Sequence, residues 1–174
     1  MRHIRKIIAV LLLAAMLLPV TGLGEETVNA FDTLRVLMEM EFDEGLPPAQ
    51  GESIYSEVDD DTDQGLLCTI VYGEEENSSV MMIAGINGEG KYEMRTYSDL
   101  TSLQLFYYTY LVCRGYSFVK GEMPAGTNYS VIISFGADDD SIALIDSEEK
   151  AEMMAETIRE ALESAGAAEE AGIE

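Results

Sequence analysis

The sequence predicts an α+β domain: an antiparallel sheet of five to six strands flanked by three helices, in the order α-β-β-β(-β)-α-β-β-α. Three observations carry that expectation. Stretches with apolar residues at helical spacing open, interrupt and close a series of short strand-like runs. Those runs are joined by short connections rich in turn residues, which favours antiparallel pairing. The 174 residues are 47% apolar and 25% charged, a globular balance and enough chain for one core. Helices then cover at least one face of the sheet.

Residues 1–24 read as an export address. Arg2, His3, Arg5 and Lys6 form a basic head, Ile7 to Leu18 is apolar, and Gly22 and Gly24 put small residues before Glu25. That is the plan of a secretory signal peptide. The apolar run to Val20 is shorter than the roughly 20 residues that a membrane span needs. Residues 25–163 are then expected to form one domain, and residues 164–174, small and acidic, a flexible tail.

Within the domain, Val28, Phe31, Leu34, Met38 and Phe42 make a helical stripe that Thr27 or Asn29 caps and Gly45-Leu-Pro-Pro48 ends. Ser53 to Val58 is a weak strand. Leu66 to Tyr72 and Val80 to Ile86 are nearly continuous apolar runs, the pattern of central strands covered on both faces. Asn87-Gly88 signals a hairpin. Lys91 to Tyr97 alternates, with Tyr92, Met94 and Thr96 on one side and Lys91, Glu93 and Arg95 on an expected wet face.

Ser98 or Asp99 is expected to cap a helix from Leu100 to Arg114, with Gly115 as a left-handed C-cap. Tyr129 to Phe135 and Ser141 to Ile145 pair across the acidic turn at 136–140. Asp146 and Glu149 suggest a capping box for a last helix, Ser147 to Glu163, which buries Ala151, Met154, Ile158, Ala161 and Leu162. This element order is similar to the fold shared by type III secretion chaperones, across about residues 28–163. The resemblance lies in element order alone and implies a fold, not a function.

Thirty-three acidic against ten basic side chains give a formal charge of −23. Phosphate neutralisation needs clustered Lys and Arg, so ordinary nucleic-acid binding is excluded and docking on anionic lipid is disfavoured. His3, the only histidine, leaves with the leader. Histidine-based triads and histidine-ligated zinc or haem go with it. No nucleophile elbow, phosphate loop or dinucleotide fingerprint is present. The expected function is therefore non-enzymatic and free of cofactors. It is the binding of a protein or peptide partner, cationic in the sharper form, at the cell envelope or outside the cell, with no membrane span after leader removal. A homodimer is compatible with that reading.

Three constellations are candidate sites. Asp59, Asp61 and Asp63 hold the alternating spacing of an EF-hand, but Gln64 stands where its glycine belongs and Ile70 where its bidentate glutamate belongs. Weak calcium binding there is the first alternative function, set against a solvated acidic hairpin. A carboxylate hydrolase is the second. The helix Leu100 to Arg114 is apolar nearly all round, so Leu105, Tyr108 and Val112 are a candidate partner surface, set against burial on both sides. Cys68 and Cys113 are a candidate disulfide if the chain is exported, set against two buried hydrophobes. Asn77-Ser-Ser79 and Asn128-Tyr-Ser130 match the glycosylation sequon.

Overall fold

A computed structural model describes residues 29–40, 47–73, 78–135 and 142–166. The expected leader, the residues around Phe42, Asn77, the Asp138–Asp140 turn and the end of the acidic tail lie outside the described residues. The fold is α+β. In chain order the elements are α1 (Ala30–Met38), β1 (Gly51–Ser56), β2 (Leu66–Tyr72), β3 (Ser79–Ile86), β4 (Tyr92–Leu100), α2 (Ser102–Arg114), α3 (Tyr116–Gly121), β5 (Tyr129–Phe135), β6 (Ile142–Ile145) and α4 (Glu148–Ser164).

The six strands form one sheet in the order β1-β4-β3-β2-β5-β6. Every pairing is antiparallel except β2 with β5, which run parallel, so the sheet is mixed and not wholly antiparallel as expected. The reason is topological. After β4 the chain crosses the sheet through α2 and α3, and such a crossover returns a strand parallel to its neighbour. The short helix α3 is an addition to the three expected.

Asn29 caps α1, accepting from the Asp32 amide at 2.9 Å, and its amide nitrogen donates to the Ile86 carbonyl at 2.7 Å. Asp32 in turn accepts from the Gly88 amide at 2.6 Å. One end of α1 therefore holds the β3–β4 hairpin. In that hairpin the left-handed residue is Gly90 (φ 74°), not Gly88, and the buried Asn87 folds the loop by accepting from the Glu89 and Lys91 amides. The hairpin that Asn87-Gly88 signals is thus closed by a three-residue loop.

The β3–β4 register shifts between Ser79 and Met81, and Asp99 takes a positive φ of 57° there. The shift lets β4 run on to Leu100, past the expected caps Ser98 and Asp99. Thr101 caps α2 instead, in a reciprocal box with Gln104. Gly115 has φ −84°, so it is not a left-handed cap. A side chain there would meet Leu37 Cδ1 at 2.9 Å, so glycine serves the close approach of α1 to α2. Ser147, not Asp146, caps α4.

The layers follow from α2. Leu105, Tyr108 and Val112 have no exposure and lie in the cluster that includes Cys68, Ile70, Met81, Ile83, Val131 and Ile133 of the sheet. Leu103, Phe106, Tyr107 and Tyr110 pack against Met154, Ile158 and Leu162 of α4. The helix is apolar all round because it is covered on two sides, by the sheet and by α4.

Candidate interaction surface

Strand pairing sorts the sheet residues into two faces, because successive side chains point to opposite sides. On the helix side, the rows run Gly51–Tyr97–Met81–Ile70–Ile133–Ala143 and Ser53–Arg95–Ile83–Cys68–Val131–Ile145. On the other side they run Ile54–Met94–Ala84–Leu67–Ser130 and Glu52–Thr96–Met82–Thr69–Ile132–Leu144, flanked by Tyr92, Ile86, Val80, Val71 and Ile142. None of this second set belongs to the hydrophobic core clusters. Ile54 is 64% exposed, Ile142 53% and Leu144 49%, while Met82, Met94, Leu67 and Ile132 are half-buried by their neighbours. Among the described residues, Glu52 is the sole charged residue on this face.

The alternation in β4 is the reverse of the expected one. Glu93 and Arg95 point to the helix side, and Tyr92, Met94 and Thr96 to the open side. The hairpin register decides this, since Arg95 pairs with the buried Ile83 and Met94 with Ala84. The charged side is tolerated because it is fully bonded. Glu93, 4% exposed, accepts from Ser53 Oγ at 2.6 Å and from Asn87 Nδ2 at 2.8 Å. Arg95 donates to Ser53 at 2.8 Å and to Tyr97 at 3.0 Å, pairs with Glu39 at 2.6 Å and lies over the Tyr97 ring. Arg35 bonds the other Glu39 oxygen at 3.0 Å. Every partner in this chain belongs to the protein, so it is a clasp that fastens β1 and β4 to the end of α1.

The other candidate residues stand as follows. Leu105, Tyr108 and Val112 are in the core, which corrects the expectation of a partner surface there: no side of α2 that carries them reaches solvent. Asp59, Asp61 and Asp63 sit on an exposed turn. Asp59 accepts from Thr62 Oγ1 at 2.9 Å and the Asp61 amide at 3.2 Å, and Asp63 accepts from the Gly65 amide at 2.8 Å. These are loop-closing bonds, and among the described residues no trio of carboxylate, thiol or imidazole groups is gathered as metal ligands.

Cys68 and Cys113 are free and buried. Burial pushes the Cys113 thiol up to about 12, and burial with the field of Cys113 raises Cys68 further still. Neither is an activated nucleophile. Burial likewise raises Tyr72, to about 12, although its hydroxyl shares a 3.0 Å hydrogen bond with Thr109.

The open face is what the sequence reading missed, though a signal was present. The continuous apolar runs of β2 and β3 have the pattern of strands covered twice, and the described helices cover them once. In comparison with known proteins, no family model, curated protein or solved structure matches this chain.

Proposed function

We propose that this chain is an exported acidic domain without catalytic machinery, which acts by binding through the open face of its sheet. The partner is an apolar, uncharged protein surface met at the cell envelope or outside the cell. The observation that carries the reading is the run of Ile54, Met94, Leu67, Met82, Ile132 and Leu144 across a six-stranded face with one charged residue among those described. Solvent-facing sheets alternate apolar and polar, and a contiguous apolar patch of this extent marks an interaction site. The polar clasp supports binding over catalysis, because its carboxylates and guanidinium groups are engaged by partners within the protein.

Four methionines give an internal test. Met82 and Met94 lie on the open face, Met153 on the outer side of α4 is 62% exposed, and Met81 is buried. Hydroxyl-radical oxidation is compared between dilute purified protein and protein in the producer's own medium and envelope fraction. Binding protects Met82 and Met94 in the second setting and leaves Met153 unchanged. Equal oxidation of Met82 and Met94 in both settings overturns the reading.

A further inference from the structure

The geometry points to a second copy of this chain as the occupant of the open face, packed sheet to sheet about a two-fold axis. This rests on the binding reading above and names its partner. Three observations select that occupant.

The first is area. Six strands of about seven residues make a face of roughly 24 Å by 23 Å, on the order of 550 Å² of footprint. Two such faces remove about 1,100 Å² from water before side-chain relief is counted, above the ~1,000 Å² that a specific interface needs. The second is shape. Sheets pack face to face about 10 Å apart at about −30°, with both inner faces apolar and twisted in the same sense. An identical sheet meets each condition, and an isologous contact closes on itself without leaving a free copy of the patch.

The third is charge and pattern. The chain carries −23, yet among the described residues the open face holds only Glu52, on an edge strand, while Glu148, Glu149, Glu152, Glu156 and Glu160 lie exposed on α4 in the opposite layer. A cationic partner would find almost nothing to pair with on this face. Two copies can meet there with their acidic surfaces turned outward. The sequence pattern agrees: β2 and β3 are apolar on both sides, as strands buried on both faces are, and β4 turns Tyr92 and Met94 outward. Face-to-face pairing supplies the missing cover.

The test is sedimentation equilibrium of the purified protein across a concentration series at low and high salt, with intact mass recording where the chain begins and methionine oxidation read in parallel. The expected result is a dimer whose association strengthens with salt, because added ions screen the repulsion between two acidic bodies. Oxidation of Met82 and Met94 falls as the dimer forms. Thr69→Lys, at the centre of the face on an already polar position, weakens association by about a hundredfold or more, since it buries an unpaired ammonium. Leu144→Lys near the edge weakens it less. Unchanged far-ultraviolet circular dichroism in both variants keeps the comparison valid.

A monomer at every concentration, with Met82 and Met94 as reactive as their exposure allows, overturns the inference. So does a dimer indifferent to both lysines, which would lie elsewhere on the surface. A monomer whose Met82 and Met94 are protected at every concentration also overturns it and assigns the cover to the chain's own Ile7–Val20 run. Protection only in the producer's fractions, without self-association, overturns the second copy and leaves the binding reading standing.

Discussion

The two faces of one sheet are built from alternate residues of the same strands, and they follow opposite rules. Cys68, Ile70, Met81, Ile83, Tyr97, Val131 and Ile133 are sealed under α1, α2 and α4. Their immediate neighbours Leu67, Thr69, Met82, Thr96 and Ile132 are apolar or uncharged and lie under no described element. The buried carboxylate Glu93 and the half-buried guanidinium of Arg95 lie on the sealed side, where each finds partners within the protein. The open side, facing water, has almost no charge. Hydrophobicity alone therefore does not tell the inside of this domain from its outside. What separates the faces is which side the helices reach.

Raising the pH separates the faces most sharply. Of the thiols and phenols that burial holds protonated, those carried by the sheet, Cys68, Tyr72, Tyr97 and Tyr129, all project from the sealed face. In the unfolded chain the thiols ionise near 9.0 and the phenols near 10.0. Their folded values are higher, so their contribution is complete below about pH 9 and is lost as the pH climbs toward the folded values. Near-ultraviolet circular dichroism should hold steady to about pH 9 and collapse in one transition above it. A gradual tyrosine titration with intact tertiary signal would contradict the burial described.

Next in size is truncation on either side of one strand. Ile83→Ala on the sealed face should cost about 2–5 kcal/mol in urea unfolding, the transfer and cavity cost of a filled core site. Met82→Ala, one residue away, should cost under about 1 kcal/mol in dilute protein. Equal costs would mean that the open face is covered within the monomer. Glu93→Ala tests the clasp. It strands the Ser53 and Asn87 donors, so about 2 kcal/mol should be lost. Smaller than the core and clasp effects is Thr101→Ala, which removes one half of the α2 capping box and should cost about 1 kcal/mol. Ser98→Ala and Asp99→Ala, at the positions that the sequence pattern favours as caps, should do less to the helix.

Much of the fold was legible because local chemistry and period agree. The Tyr129–Phe135 strand, the helix over 102–114 and the Asn29 cap are all written in residues a few positions apart. The parallel pairing of β2 with β5 was not legible, because no local residue records which distant strand lies beside which. The face assignment of β4 failed for a related reason. Alternation shows that Glu93 and Arg95 share a side, but the side is decided by Ile83 across the ladder and by partners at Glu39, Ser53 and Asn87. Charged residues read as wet in a sequence, and a bonded cluster of them can be dry. The surface expected on α2 failed because an all-round apolar helix has two explanations, and α4 supplies the second cover.

The parallel pair also has a temporal consequence. Strands β2, β3 and β4 pair as successive neighbours and β1 adds to β4, whereas the free side of β2 can be completed only when β5 has been made, after α2 and α3. Contacts between such distant segments form slowly, because the intervening loop must be closed before they are rewarded. During synthesis the half-built sheet therefore presents β2 as an unfinished edge for the whole length of the helical crossover. A chain with this topology commits to its shape late, only once β5 has been made.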